Sequence, residues 1–359
     1  MLHAAIMAGG AGTRFWPASR KTTPKQLLNL TGQRSMIQAT ADRMKGFCPS
    51  ENLLIVTNQV LVDPIAEQLP EVPRESIIGE PAKRDTAPCI GLAAAWIAAR
   101  DPEATMVVMP ADHVIGPDQV FRDALTQASE LVDEDPTRIV TFGIKPSYPA
   151  DVFGYIERST TELKGTSYPT FEVNCFREKP DLETAQQFVA AGSFYWNSGI
   201  FVWKAKTILE ALKKFEPEMS THIERISETI GTPRFHDTLA REFTAIKGKS
   251  IDYAVMERYE NVLVIEAPYE WDDLGNWSAI PRLKGVDPSG NTVDGEHLGI
   301  DTENSIIRTE NGHLIVTIGM KDCIVVHTPD ATLVADKQNE NAIKDVVAEL
   351  ERRKLEHYL

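Results

Sequence analysis

The sequence predicts a large α/β domain with an open, mainly parallel sheet, followed by a small C-terminal β module and a terminal helix. Three observations predict it. Short apolar runs followed by turn residues recur through the first half, with helix-compatible stretches between them. Several short strand-like segments crowd together after residue 285, and apolar residues at helical spacing close the chain. A length of 359 residues suits one large domain with a smaller companion, and 42% hydrophobic against 25% charged side chains is ordinary globular composition.

The apolar runs 3–7, 53–56 and 106–109 read as strands buried on both faces, because a parallel sheet covered by helices needs no polar alternation. Residues 139–143 add a fourth, reached through the amphipathic stretch 120–133. In such a sheet ligands gather beyond the carboxyl ends of the strands. The Ala-rich stretch 89–100 predicts a helix with Thr86 as its cap. Residues 152–203 read as strands and loops, and the charged stretches from Lys206, 216–230 and 237–243 as surface helices. Pro288, Ser289 and Gly290 mark a linker, which sets a boundary between residues 1–284 and 285–359. Beyond it, 305–308, 313–317, 323–326 and 332–334 are short strands separated by Asn311-Gly312 and Pro329-Asp330 turns. Ile343, Val346, Val347 and Leu350 recur at helical spacing, so the terminal helix is expected to dock on the module, with self-association as a homodimer the alternative.

Fifty-two acidic against 37 basic side chains give a net charge of -15, which repels nucleic acid and anionic lipid at long range. A small phosphorylated substrate is compatible with that field if a few placed Lys and Arg residues and a divalent metal reverse it locally. Cys48, Cys89, Cys175 and Cys323 are far apart, with no C-x-x-C pair, so neither a zinc site nor a disulfide framework is expected and a reduced, cytoplasmic setting is. The longest apolar run, 91–99, is too short to span a bilayer, and no targeting signal is read at the N-terminus.

The segment Gly9-Gly10-Ala11-Gly12-Thr13-Arg14 follows the first apolar run, where absent side chains let backbone N–H groups approach phosphate oxygens. Two familiar phosphate loops fail on the residues. A P-loop needs Lys followed by Ser or Thr after its second glycine, and the dinucleotide pattern started at Gly10 meets Phe15 where its last glycine belongs. A plain tight turn would explain the glycines alone. Arg14 and Lys25, which follow, add two cations within reach of a triphosphate.

The run from Gly9 to Arg20 together with Pro24-Lys25-Gln26 resembles the signature of sugar-nucleotide pyrophosphorylases, and its Phe15-Trp16-Pro17 wording resembles the bacterial mannose-1-phosphate guanylyltransferases in particular. The likeness continues, in order, through Glu80-Pro81, Arg84 to Pro88, Pro110-Ala111-Asp112-His113, Phe153-Gly154-Tyr155-Ile156, Glu178-Lys179-Pro180, Trp196-Asn197-Ser198-Gly199, 250–257 and 271–277. It implies a Rossmann-like sheet of the nucleotidyltransferase type, glycosyltransferase-A-like, with a short left-handed β-helix-like module. It also implies attack of a sugar 1-phosphate oxygen on the α-phosphorus of a nucleoside triphosphate, with Mg2+ and without a covalent enzyme intermediate. GTP and mannose 1-phosphate would give GDP-mannose and pyrophosphate. Such a reaction relies on positioning and charge neutralisation more than on proton transfer.

The same resemblance distributes the roles. Gly9, Gly10, Gly12 and Thr13 cradle the triphosphate, with Arg14 and Lys25 neutralising it. Glu80, Arg84, Asp85 and Thr86 fall in the base-contacting segment. Asp112 and Asp273 form the metal pair, and Asp112 also belongs to the nucleotide site. Gly154, Glu178, Lys179, Asn197 and Gly199 surround the sugar phosphate. Arg14, Lys25, Asp112, Lys179 and Asp273 are then the catalytic set. Each has a plainer reading: a turn aspartate for Asp112, a solvated ion pair for Glu178 and Lys179, an ordinary loop for 80–88. Asp272 reads as a surface carboxylate beside Asp273, His113 as a supporting residue and the tryptophans as packing.

Asp151-Val152-Phe153-Gly154 departs from the commoner T-G-Y-G form, which puts a hydroxyl contact from positions 152 or 153 in doubt but keeps Gly154. No cupin-like region follows, so isomerase activity is not expected. Competing readings are the same chemistry on another nucleotide or hexose 1-phosphate, and a non-catalytic regulatory paralogue that binds nucleotide sugars. A glycosyltransferase on a related sheet would be expected to show a D-x-D metal motif, and none is read in the first half.

Overall fold

The computed structural model describes residues 1–10 and 12–359; Ala11, inside the glycine-rich segment, lies outside the described residues. The chain packs into two compact units that interleave along the sequence, one of residues 1–9, 41–111 and 115–271, the other of residues 10–40, 112–114 and 272–359. Whereas the expected boundary at 284/285 followed chain order, these units follow packing. In the second, Phe15, Trp16, Leu28 and Leu30 share one apolar cluster with Leu274, Trp277, Ile306, Ile324 and Ile343, which joins the glycine-rich segment to the C-terminal module.

The first unit holds a nine-stranded sheet made of β1 (Leu2–Ala8), β2 (Leu53–Asn58), β3 (Ile77–Glu80), β4 (Thr105–Pro110), β5 (Ile139–Ile144), β6 (Tyr155–Glu162), β7 (Thr170–Arg177), β8 (Phe194–Lys204) and β9 (Val262–Glu266). Their spatial order is β3-β2-β1-β4-β8-β5-β9-β7-β6. The four apolar runs seen in the sequence are β1, β2, β4 and β5. Strands β3, β2, β1 and β4 are mutually parallel, as are β5 and β9. Strand β8 enters antiparallel between β4 and β5, with Val202 opposite Val107 on one side and Val140 on the other. Ile200, Phe201, Val202 and Trp203 are all buried there, so both faces of this central strand are covered.

The Ala-rich helix runs Thr86–Ala98, and its cap is Asp85, not Thr86: the Asp85 carboxylate accepts from the Thr86 N–H at 2.8 Å. Helix Asp118–Glu134 buries Phe121, Ala124, Leu125, Ala128, Leu131 and Val132 at helical spacing, with Phe121 edge-on to Tyr269 at 5.1 Å. Helices Ala205–Phe215, Pro217–Ser227 and Phe235–Ala245 lie where surface helices were expected, and their apolar stripes feed Ile208, Leu212, Ile223 and Phe243 into a core shared with Trp96 and Trp203. Among the described residues no helix is long and apolar enough to cross a membrane.

In the second unit, β10 (Thr292–Asp294), β12 (Ile306–Arg308) and β14 (Cys323–His327) stack in parallel, while β11 (His297–Ile300) stacks in parallel on β13 (Ile315–Ile318). Short parallel strands that recur in register are the rungs of a β-helix-like module. An antiparallel strand, β15 (Thr332–Asp336), closes one side, and helix Ile343–Arg352 follows. That helix docks within its own unit, where Ile343, Val346, Val347 and Leu350 meet the cluster containing Phe15 and Trp16.

Trp203 is fully buried and stacks on Phe201 at 5.2 Å, so Trp203→Ala is expected to lower unfolding free energy in chemical denaturation by about 3–5 kcal/mol. A loss under about 1 kcal/mol would mean that this part of the core is loosely packed.

Candidate active site

Two clusters of polar side chains stand out, one in each unit. In the second unit the glycine-rich segment turns at Gly12, whose φ of 58° is left-handed, into a short 3-10 turn, Thr13–Phe15. A Cβ on Gly12 would come within 2.5 Å of Lys25 Cβ and 2.7 Å of its backbone nitrogen, so both backbone shape and space require glycine. At Gly10 a Cβ would meet nothing within 4 Å among the described residues. Ser19 Oγ donates to Gly12 O at 2.8 Å, and Phe15 packs edge-on against Trp277 at 5.0 Å. The aromatic wording that carried the resemblance therefore anchors the segment.

Lys25 is buried, and its ammonium donates to Asp112 Oδ2 at 2.8 Å and to the Asp273 carbonyl at 2.6 Å. Burial works against ionisation of Asp112, yet Lys25 and His113 hold its carboxyl below the usual range. Asp273 goes the other way: burial pushes its carboxyl up, Lys25 opposes, and the neighbouring Asp272 and Asp112 add to the rise. Asp272 is no surface carboxylate. It accepts both forks of Arg282, at 2.7 and 3.1 Å, and the Leu274 N–H at 2.8 Å, which fixes the turn that presents Asp273.

Lys25, Asp112 and Asp273 line a cavity of about 350 Å³ whose wall also includes Arg14, Thr13, His113, Gly275 and Lys344. Sequence reasoning missed Lys344, which belongs to the terminal helix and carries no motif. Arg14 is exposed and has no ion pair or hydrogen bond among the described residues. No three His, Cys, Asp or Glu side chains among the described residues converge as a metal cage.

In the first unit the structure brings Gly154, Glu178, Lys179, Asn197 and Gly199 together. A Cβ on Gly154 would lie 2.5 Å from Glu178 Oε2, so this glycine makes room for the carboxylate. Asn197 donates its backbone N–H to Gly154 O at 2.8 Å and accepts from the Gly199 N–H at 3.1 Å through Oδ1. Lys179 is ion-paired to Glu178. Asn197 Nδ2 donates to Asp252 Oδ1 at 2.8 Å, and Asp252 is a member of this cluster that the sequence did not single out. Burial, reinforced by the Glu178 charge, pushes the Asp252 carboxyl up to about 7. Its signal was faint: it sits in the matched stretch 250–257 with nothing local to separate it from a surface aspartate.

The segment 80–88 divides by what its groups already bind. Glu80 ends β3, is buried, and its Oε1 has no hydrogen-bond partner among the described residues; burial pushes its carboxyl up to about 7. Arg84 donates to the Lys83 and Thr244 carbonyls, at 3.0 and 2.5 Å, while its Nε is without a partner among the described residues. Asp85 caps the helix, and Thr86 Oγ1 accepts from the Ile251 N–H at 2.8 Å, tying this segment to the turn that carries Asp252. Of the two carboxylates assigned to the base, only Glu80 keeps a buried, unsatisfied oxygen among the described residues. Contrary to the sequence reading, the first half does hold one Asp-x-Asp, Asp133-Glu134-Asp135, but it ends a helix, and Asp133 braces Thr105 and Lys204 at 3.1 and 2.5 Å.

A nucleotidyl transferase family model matches residues 3–285, and a model for the MannoseP isomerase/GMP-like beta-helix domain matches residues 295–350. The chain is 40% identical over 354 residues to the mannose-1-phosphate guanylyltransferase ManC of Salmonella typhimurium, covering 97% of this chain and 73% of that protein. A solved structure from Thermus thermophilus, described as a "mannose-1-phosphate geranyltransferase", superposes with a TM-score of 0.86 at 30% identity, covering 98% of this chain and 99% of that one. A second, from Helicobacter pylori, described as a mannose-6-phosphate isomerase, gives a TM-score of 0.62 at 27% identity over 76% of this chain and 99% of its own.

A carboxyl whose folded value is raised favours the fold fully below its unfolded value near 4, and that advantage is lost as pH rises towards 7. Asp252→Asn keeps an acceptor for Asn197 and removes the ionisation. The variant is therefore expected to be more stable than the parent by roughly 2–4 kcal/mol at pH 8 and equal to it near pH 4, measured by denaturation at both values. A pH-independent difference would contradict the assignment.

Proposed function

This chain belongs to the nucleotidyl transferase family, among the mannose-1-phosphate guanylyltransferases, and from that premise we infer that it transfers a guanylyl group from GTP to mannose 1-phosphate. The products are GDP-mannose and pyrophosphate. The observation that best supports the reading at residue level is the buried Lys25 ammonium, held between Asp112 and the Asp273 carbonyl at the wall of a cavity that also has the exposed cation Arg14.

Lys25 and Arg14 neutralise the triphosphate, and the Gly12 turn lets its oxygens come close to the backbone. Asp112 and Asp273 fit Mg2+. Both offer hard carboxylate oxygens, and the upward push that Asp112 and Asp272 exert on Asp273 is one that a dication relieves. Two carboxylates, with no third acidic, histidine or cysteine ligand converging among the described residues, suit an ion that fills its remaining positions with phosphate oxygens and water. When bound, Mg2+ supplies charge neutralisation on those phosphates.

On the hexose side Lys179 offers a cation to the sugar phosphate, while Glu178, Asn197 and Asp252 offer acceptors and an amide to the hydroxyls. The attacking phosphate oxygen is already nucleophilic at neutral pH, so no general base is assigned and His113 stays a supporting residue. For the base, the Glu80 carboxylate matches the adjacent N–H donors on one edge of guanine, where adenine presents a ring acceptor instead. The four cysteines are free thiols, in keeping with a cytoplasmic enzyme.

Purified protein given GTP, mannose 1-phosphate and Mg2+ is expected to release pyrophosphate and form GDP-mannose; no release in that assay sinks the reading. Asp273→Asn is expected to lower kcat by about 100-fold or more while leaving the thermal melt unchanged or higher, since the carboxyl removed is one that burial disfavours. Lys25→Ala should lose both turnover and stability, because Asp112 then loses its partner. Near-normal turnover in either variant removes that residue from the mechanism. Glu80→Gln is expected to narrow the GTP over ATP preference in kcat/KM by about tenfold or more, and an unchanged ratio would move base selection elsewhere.

A further inference from the structure

We propose that Lys344, on the C-terminal helix, is a third cation of the triphosphate site and grips the part of the nucleotide that leaves as pyrophosphate. The proposal rests on the guanylyl-transfer reading and assigns the terminal helix a direct part in it. Lys344 is exposed, lines the same cavity as Arg14 and Lys25, and has no ion-pair or hydrogen-bond partner among the described residues.

Its lack of a partner has a physical cause. The nearest acidic residue before it in the chain, Glu340, lies in the 3-10 turn Lys337–Ala342 that precedes the helix. Both Glu340 oxygens are already engaged, Oε1 by Asn276 Nδ2 at 2.8 Å and Oε2 by the Ser278 N–H at 3.1 Å. That carboxylate pins the segment following Asp273, and the Lys344 ammonium is left to the cavity. In a chain with net charge -15, an unpaired cation facing two other cations calls for an anion to account for it.

The position is also fixed. Ile343 is buried beside Lys344, Trp16 Nε1 donates to Tyr358 O at 2.8 Å, and Lys21 pairs with Glu351 at 3.0 Å, so the helix and the glycine-rich segment are held together at several points within one unit. The charge balance favours the assignment. Asp112 and Asp273 offset two of the three cations, and a triphosphate carries about four negative charges at neutral pH, more than Mg2+ and the remaining cation neutralise.

The test is equilibrium binding of GTP, GMP and inorganic pyrophosphate to the full-length protein, without sugar phosphate, for the parent, Lys344→Ala and Lys344→Arg. Lys344→Ala is expected to weaken GTP and pyrophosphate about tenfold and GMP less than twofold, to leave KM for mannose 1-phosphate and the melt unchanged, and Lys344→Arg to restore most of the loss. Binding of GTP and pyrophosphate within twofold of the parent overturns the proposal, as does an equal loss of GMP, which would signal a collapsed loop. Pyrophosphate separates the two ideas. A parent protein that binds pyrophosphate but not GTP sinks the guanylyl reading and leaves Lys344 judged on pyrophosphate; one that binds neither sinks both.

Discussion

The structure of the second unit turns on one buried ammonium. Lys25 joins three segments distant in sequence, its own turn, the Asp112 carboxylate and the Asp273 carbonyl, through two charge-assisted hydrogen bonds. A buried cation is tolerated only with such partners, and removing one leaves the other charge in a poorly solvated site. Other features follow from it. Gly12 must lack a Cβ because the Lys25 backbone passes 2.7 Å from where that atom would be. The Asp272–Arg282 fork holds the turn that delivers the Asp273 carbonyl.

The aromatic residues of the glycine-rich segment give that arrangement its rigidity. Phe15 and Trp16 sit in the same apolar cluster as β-helix residues Ile306 and Ile324 and helix residue Ile343, so the C-terminal module packs under the residues that follow the glycines. A loop of glycines is expected to be costly to order, since each glycine loses more conformational freedom than any other residue.

What the sequence made legible was what local pattern encodes. Apolar runs located β1, β2, β4 and β5, and the spacing of Ile343, Val346, Val347 and Leu350 located the terminal helix. Of the strands that escaped notice, β3, β10 and β11 are three or four residues long, too short for a period to show, while the five-residue β9 carried a readable apolar run, 262–265, that was passed over. Strand β8 gave no hint that it would run antiparallel through the middle of the sheet, which is a matter of topology and not of residue type. The resemblance carried Lys25, Asp112, Asp273 and Glu178 as a list, but their pairing was invisible in it. Asp85 took the capping role expected of Thr86 because either residue type can cap a helix, and only the backbone decides which one stands just outside it. Lys344 and Asp252 matter through distance to groups far away in sequence, which no local pattern carries.

The carboxyl groups separate into two populations that bear on function. Most perturbed ones, such as Asp133, Glu216 and Glu242, are pulled down by hydrogen bonds and cations and so stabilise the fold at neutral pH. Among the described residues only Glu80, Asp252 and Asp273 are pushed up, each by burial first. The proposed function puts one in the segment assigned to the base, one among the residues assigned to the hexose and one in the proposed metal pair. A buried carboxyl that resists ionisation destabilises the folded protein above its unfolded value, and sequences keep such groups where a ligand makes up the difference. Guanine N–H donors, sugar hydroxyls and a dication each favour the ionised form of the acid they would meet. Under the function proposed above, each of these three carboxyls, poorly satisfied by the protein alone, would be completed by the substrate or its metal.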